Sequence, residues 1–388
     1  MISVGNSRIP LWVEALSGNA SDKKSFRETI ESFLTNLKES GEPYCFVMDS
    51  AFYTSTNLTE LSSRIHWLTR VPETVGFVQR LLPEVGPRLQ AWSESTAETT
   101  PEILTDPTLP GYRWIELGTV YVGVPQRILL VYSESNFLLE KKSLDSRIEK
   151  ERVKLSEKLD ALASETFGCD RDAERALKAL FSGARYHQAG EATLTEVLGY
   201  GKKGRPPKDA TPSRQGVKIS ASPVKDEAAI AAALSRKGLF VVASNNVSDA
   251  SLSSRTLIAN YKAQGSTIEG CNRFMKDPRL YAEAFFLKKE ERIMALITVM
   301  GMALLVFALA EERLREALAA LKEALPDQKR RKTEKPTLRW IFQLLENIHW
   351  QPHPEDPGGM ISITEDQLKI LSFFSSGVRR YYEAPEAA

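Results

Sequence analysis

One predicted helix, at residues 261–278, carries side chains suited to binding a metal ion and phosphates. The helix is expected to end at Asp277, because the following Pro278 disfavours the helical region for the residue before it. At roughly 100° per residue, Arg273 lies about 40° and Lys276 about 20° around the helix from Glu269. An acid can hold a metal ion, and neighbouring bases can hold the phosphates on which the metal acts. The alternative interpretation is a pattern of surface ion pairs.

Three sequence blocks extend this pattern: residues 261–278 (Y-K-A-Q-G-S-T-I-E-G-C-N-R-F-M-K-D-P), 46–53 (F-V-M-D-S-A-F-Y) and 16–22 (L-S-G-N-A-S-D). In the first block, Tyr261, Glu269 and Lys276 resemble the Y-R-E-K signature of DDE transposases of bacterial insertion sequences, in the IS-four superfamily. The second resembles that family's strand with the second catalytic aspartate. The third resembles its G-N-x-S-D turn. The blocks follow the family's order, and the resemblance covers nearly the whole chain. Gln264 replaces the signature's arginine, and the spacing from Tyr261 to Glu269 is one residue longer.

The resemblance implies a site for two divalent ions, Mg²⁺ or Mn²⁺, with Asp49 and Glu269 as catalytic and metal-binding carboxylates. It also implies that Tyr261, Arg273 and Lys276 contact DNA. DDE chemistry is phosphodiester hydrolysis and transesterification by in-line displacement. The family's first carboxylate has no match here, and Asp22 belongs to the later turn. We therefore expect an N-terminally truncated transposase that is inactive alone; whether this chain acts as an enzyme stays open.

The implied fold is α/β: an RNase H-like core, incomplete because its first strand is missing, interrupted by an α+β insertion domain and followed by a helical C-terminal part. We expect the core in residues 1–73 and 237–345, the insertion in residues 74–236 and a tail in residues 346–388. A strand at residues 44–48 ends at Asp49, at the carboxyl end where open α/β sheets place ligand sites. A strand at residues 239–244 is expected to pair with an earlier hairpin, formed by residues 113–117 and 126–132.

Residues 201–212 form a basic break rich in proline and glycine. Gly204-Arg205-Pro206, with lysines such as Lys203 beside it, resembles an AT-hook core, which can lay an arginine in a narrow A·T minor groove. Lys203 and Arg205 are therefore candidate DNA contacts. The alternative is a solvated linker.

The whole chain of 388 residues has a net charge of only +1, so nucleic-acid binding must come from local patches. The three cysteines are far apart and suggest a reducing cytoplasm. The resemblance implies that this is the cytoplasm of a bacterium, near the nucleoid. Residues 293–310 contain no charge and reach the lower limit for a membrane span. Dense mixed charge flanks them on both sides, so we expect a buried core helix and no membrane contact.

Two functions of different classes follow. The first is a DDE transposase acting on double-stranded DNA at transposon ends, with a homodimer in the active complex of the family. The second is a non-catalytic DNA-binding or regulatory protein derived from a transposase. Metal-dependent cleavage would favour the first, and salt-sensitive binding lost on Arg205→Ala would favour the second.

Overall fold

The computed structural model describes residues 1–3, 5, 7–14, 22–36, 45–93, 102–200, 209, 211–247, 252–276, 287–346, 348, 350–353, 356–361 and 363–382. Within these ranges the α-helices are α1 (Asp22–Asn36), α2 (Ser55–Leu61), α3 (Gly76–Ala91), α4 (Glu134–Ser164), α5 (Asp170–Phe181), α6 (Glu227–Leu234), α7 (Ser254–Met275), α8 (Glu290–Leu321), α9 (Leu338–Leu345), α10 (Glu365–Ser372) and α11 (Ser376–Arg379). Two short 3-10 turns are Ser50–Phe52 and Arg380–Tyr382. The β-strands are β1 (Ile2–Ser3), β2 (Pro10–Trp12), β3 (Cys45–Met48), β4 (His66–Val71), β5 (Leu104–Thr105), β6 (Tyr112–Tyr121), β7 (Val124–Ser133), β8 (His187–Ala189), β9 (Thr193–Gly199), β10 (Ser213–Ser220), β11 (Pro223–Lys225), β12 (Leu239–Ser244), β13 (Leu325–Pro326), β14 (Lys332–Thr333), β15 (Trp350–His353) and β16 (Asp356–Ile361).

The chain divides into two compact units. The central unit is Pro43–Arg255, and the terminal unit combines Met1–Glu42 with Thr256–Ala388. The fold is mixed α/β, as the sequence predicted.

The central unit is built on a six-stranded mixed sheet in the order β3-β4-β12-β7-β6-β5. β3 and β4 are parallel, in a register from Cys45 opposite His66 to Met48 opposite Thr69, and α2 makes the crossover that parallel strands require. The other neighbouring strands are antiparallel. All six residues of β12 are buried, as expected for an apolar strand between two neighbours. Its pairing with β7 confirms the predicted contact with the earlier hairpin.

Helices α4 and α5 pack against a separate two-stranded sheet of β9 and β10. Leu159 and Leu162 of α4 share a core with Leu177 of α5 and with Val217 and Ile219 of β10. The helices α4 and α5 therefore form a helical hairpin with a β-ribbon packed on it. Residues 201–212 connect the two strands of that ribbon, so the basic segment lies within one hairpin and does not join the two units.

The apolar residues 293–310 lie within one longer helix, α8, which continues without a break to Leu321. The expectation of burial was wrong, because only 17% of its apolar 18-residue window is buried. Met300, Leu304 and Ala308 lie on the buried face, while Val299 and Val306 are exposed. Among the described helices, α8 is the one long and apolar enough to cross a membrane, which is weak evidence for a membrane span.

Beyond this apolar run, α8 packs in the hydrophobic core of the terminal unit. Leu314 and Leu318 on its last turns join Ile341 of α9 and Ile370 of α10. The helix ends at Lys322, whose left-handed conformation (φ 53°) returns its N–H to the last turn.

Candidate metal-binding and DNA-contact residues

Asp49 directly follows β3 and is exposed, at the predicted strand end. Its Oδ1 accepts hydrogen bonds from Ser50 Oγ (2.9 Å) and Ala51 N (3.2 Å), so the side chain caps the Ser50–Phe52 turn. No donor in the described part of the chain reaches Oδ2. Thr69 Oγ1 donates to the Asp49 carbonyl (2.8 Å) and ties this strand end to β4. Capping is a sufficient structural reason for an aspartate, and it leaves one carboxylate oxygen for a ligand.

The predicted helix around Glu269 is α7, which runs to Met275, and Lys276 N still donates to Asn272 O (3.1 Å). The side chains of Glu269, Arg273 and Lys276 are all exposed. Among the residues with described side chains, these three make no ion pair with one another. The helix therefore does not form the surface ion pairs of the alternative interpretation. Glu269, Arg273 and Lys276 are all exposed to solvent.

Tyr261 and Gln264 lie on the same helix, on the N-terminal side of Glu269, and both are half-buried. They are thus less accessible to a large ligand than the three exposed side chains. Lys203 and Arg205 lie outside the described residues.

The first two residues of α7, Ser254 and Arg255, belong to the central unit and form hydrogen bonds within it. Ser254 Oγ donates to Glu116, which also accepts from Arg127 Nε (2.8 Å). Arg255 Nε donates to Thr108 Oγ1 (2.7 Å). Burial alone would raise the pKa of Glu116, but the hydrogen bonds from Arg127 and Ser254 lower it below its ordinary value.

In the terminal unit, the segment around Arg8 fixes the part of α7 next to Glu269. Cys271 Sγ donates to the Arg8 carbonyl (3.3 Å), and burial raises the pKa of this thiol, which favours the protonated donor. The Arg8 side chain crosses Gly270 so closely that a Cβ on Gly270 would lie 2.6 Å from Arg8 Nε. The glycine after Glu269 therefore leaves space for an arginine.

That arginine is held in turn by Glu311 of α8, which is only 2% exposed. Glu311 Oε1 accepts from Arg8 Nη1 (3.0 Å) and Arg315 Nη2 (2.6 Å), and Oε2 accepts from Leu338 N (2.9 Å) at the start of α9. Buried carboxylates require such pairing because charge is costly to remove from water. The sequence analysis missed this network. Its one local signal is an acid on the buried stripe of α8, between Ala308 and Leu314.

Asp49 belongs to the central unit and Glu269 to the terminal unit. No group of three or more His, Cys, Asp or Glu residues suited to a metal ion occurs among the residues described. The structure thus groups Glu269 with Arg273 and Lys276 on one helix, whereas Asp49 belongs to the other unit. Comparisons with protein-family models, curated proteins and solved structures found no match for this chain.

Proposed function

We propose that this chain is an insertion-sequence DDE transposase that is inactive alone, in which Asp49 and Glu269 are two of the carboxylates for DNA cleavage and strand transfer. The observation that carries the proposal is Asp49: an exposed carboxylate with one oxygen open, at the carboxyl end of a strand paired in parallel. Ligand sites in α/β sheets lie at such ends. An RNase H-like core would add a further strand beside β3, and β3 is an edge strand among the described residues.

The two carboxylates fit Mg²⁺ or Mn²⁺, because these hard ions prefer oxygen ligands and Asp49 Oδ2 and the exposed Glu269 can supply them. When bound, such ions activate the attacking oxygen and stabilise the leaving one. Arg273 and Lys276, one turn and two turns after Glu269, would hold DNA phosphates beside the metal, and Tyr261 would support that surface. The substrate is double-stranded DNA at transposon ends, with two copies of the chain in the active assembly.

Asp49→Asn separates the metal role of Asp49 from its capping role. Asparagine caps a helical turn about as well as aspartate, so the urea midpoint should stay unchanged. Mn²⁺ binding, measured by water-proton relaxation, should weaken in Asp49→Asn and in Glu269→Gln. If both variants bind Mn²⁺ as tightly as the parent chain, the proposed metal role is wrong.

No residue of this chain matches the first carboxylate of the DDE triad, so we expect no cleavage of plasmid DNA by this chain alone in Mg²⁺. Cleavage that requires Mg²⁺ and disappears in Asp49→Ala would show that two carboxylates suffice and would refute this expectation.

The second candidate is a non-catalytic DNA-binding protein with regulatory action on an intact transposase. It is favoured by a specific observation: the basic segment around Lys203 and Arg205 connects two strands of a ribbon. DNA binding that needs no metal and is lost in Arg205→Ala, without Mn²⁺ binding at Asp49, would favour this function.

A further inference from the structure

A short hairpin, formed by β13 and β14, is fixed to the hydrophobic core of the terminal unit. Leu325 pairs with Thr333, and Pro326 pairs with Lys332. Leu325 is buried in the core that contains residues of α8 and α9. Trp340 Nε1 of α9 donates a hydrogen bond to the Pro326 carbonyl (2.7 Å). The base of the hairpin is therefore held in place by the unit that carries it.

The turn between the two strands is organised by one aspartate. Asp327 N donates to the Arg331 carbonyl (2.7 Å), and Asp327 Oδ1 accepts from the backbone N–H groups of Lys329 and Arg331 (both 2.7 Å). Arg330 N donates to the Asp327 carbonyl (2.9 Å), and Arg330 has the left-handed conformation, with φ 59°. A side chain other than glycine is uncommon in this conformation and persists where surrounding bonds fix it. The turn therefore has a defined shape.

The hairpin carries an excess of positive charge. Residues 327–335 contain five basic residues and two acids, a formal charge of +3 in a chain whose total is +1. The five basic side chains are all exposed: Lys329, Arg330, Arg331, Lys332 and Lys335. Within the described part of the chain, none of the five forms an ion pair or a side-chain hydrogen bond. Glu323 attracts Lys332, but its carboxylate is already bonded to Lys369 (2.7 Å). The charge of the hairpin is thus available to an anionic partner.

The chemistry of the hairpin fits the phosphate backbone of duplex DNA. Lysines neutralise phosphates and release counterions, and an arginine can bind a phosphate through two parallel hydrogen bonds. A two-stranded tip with long side chains spans about 15 Å, and duplex DNA carries one charge per about 1.7 Å of its axis, so several of the basic residues can meet phosphates at once. Residues 327–335 contain no large apolar side chain that could insert into a membrane, so an anionic lipid surface fits less well.

We propose that the β13–β14 hairpin is a docking surface for the phosphates of duplex DNA, on which the Asp327 turn fixes Arg330 and Arg331 at the tip. The choice of DNA as the partner rests on the proposed function, and the surface needs no metal. Contacts to phosphates position a protein on DNA without reading its sequence. The hairpin therefore supplies affinity, and not specificity for a particular DNA sequence.

The test is fluorescence anisotropy of the full chain with labelled duplexes over a range of KCl concentrations, in EDTA so that the metal site cannot contribute. A variant that combines Arg330→Gln with Arg331→Gln should bind about tenfold more weakly and should lower the slope of log affinity against log salt by about 2. The loss should be the same for an A·T-rich and a G·C-rich duplex.

The matched control combines Lys288→Gln with Arg313→Gln, which removes two exposed positive charges from the same unit outside the hairpin. It should bind DNA as the parent chain does. Equal losses in the two double variants, or an unchanged salt slope in the hairpin variant, would overturn the proposal.

A second pair of variants tests the turn. Asp327→Asn and Asp327→Ala remove the same charge, but asparagine can still accept the two backbone N–H groups. Asp327→Ala should therefore bind the duplex more weakly than Asp327→Asn. Equal binding by the two variants would refute the role of the turn in positioning the arginines.

Two further measurements separate this surface from the metal site and from a membrane. The hairpin variant should bind Mn²⁺ as the parent chain does, and Asp49→Asn should bind the duplex in EDTA as the parent chain does, so either proposal can fail without the other. Tighter binding to vesicles of phosphatidylcholine and phosphatidylserine than to the duplex would assign the hairpin to an anionic membrane and would overturn the proposal.

Discussion

Two glycines of α7 give a sharp test of how the helix next to Glu269 is held. Alanine favours a helix interior over glycine by about 1 kcal/mol. At Gly265 the nearest atom to a new Cβ is Glu269 Oε2 at 3.9 Å, so Gly265→Ala should stabilise the terminal unit by about that amount. At Gly270 the new Cβ would lie 2.6 Å from Arg8 Nε.

The Gly270→Ala variant must therefore displace the Arg8 side chain. Overpacking costs about 1–3 kcal/mol, and here the displaced guanidinium also loses its 3.0 Å contact with Glu311. We expect net destabilisation of about 1–2 kcal/mol after the gain in helix propensity, so the two alanine variants should differ by about 2–3 kcal/mol.

Urea unfolding followed by far-ultraviolet circular dichroism measures this difference. In the Arg8→Ala background the clash is gone, so Gly270→Ala should then stabilise as Gly265→Ala does, and the double-mutant cycle gives the coupling energy. If Gly270→Ala stabilises the parent chain as much as Gly265→Ala does, Arg8 does not lie across α7 and the reasoning fails.

Three further variants test the buried polar contacts. Glu311→Ala should cost about 3–5 kcal/mol in urea unfolding, because it removes the buried carboxylate to which two arginines and the Leu338 N–H donate. Glu316→Ala on the exposed side of α8 should cost less than about 1 kcal/mol, and similar costs for the two variants would contradict the network. Tyr53→Phe should lower the unfolding free energy by about 1–3 kcal/mol, since its hydroxyl donates to the buried Gln126 Oε1 (2.8 Å), and an unchanged urea midpoint would count against this bond. Burial alone would raise the pKa of Glu151, but hydrogen bonds from a histidine and two backbone amides lower it. The ionised Glu151 therefore stabilises the folded chain above its unfolded pKa, and this stabilisation is lost as pH falls below about 4.5. In urea titrations, Glu151→Gln should match the parent chain in acid and be less stable than it at neutral pH.

The apolar strands and the terminus of the Glu269 helix could be predicted because their signals are local. β3 and β4 are short apolar runs between turns, and α7 ends beside Asp277 and Pro278. Each of these signals depends on neighbours within a few turns.

The errors have equally physical causes. α3 was not predicted because Pro83 and Pro87 lie inside it and each removes a backbone donor; Gly86 between them approaches β12, where a Cβ would lie 2.5 Å from Leu239. The apolar half of α8 was expected to be buried because it has no charge of its own and dense mixed charge flanks it on both sides. Composition indicates that a helix can be buried, but not which of its faces the rest of the chain covers.

The residues that carry the resemblance can be recognised in the sequence, whereas the residues that hold them in place cannot. Glu269 was selected from its spacing to Arg273 and Lys276 on one helix together with the resemblance to the family signature. Arg8 and Glu311 are 303 positions apart, so no periodicity links them. Yet the position of Glu269 depends on them, because Arg8 crosses the next residue of α7 and Glu311 holds Arg8. If Glu311→Ala weakens metal binding although Glu269 itself is still present, the loss would come from a displaced Arg8 and a shifted α7. Only Glu269→Gln, which leaves the Arg8–Glu311 network intact, tests the Glu269 carboxylate itself.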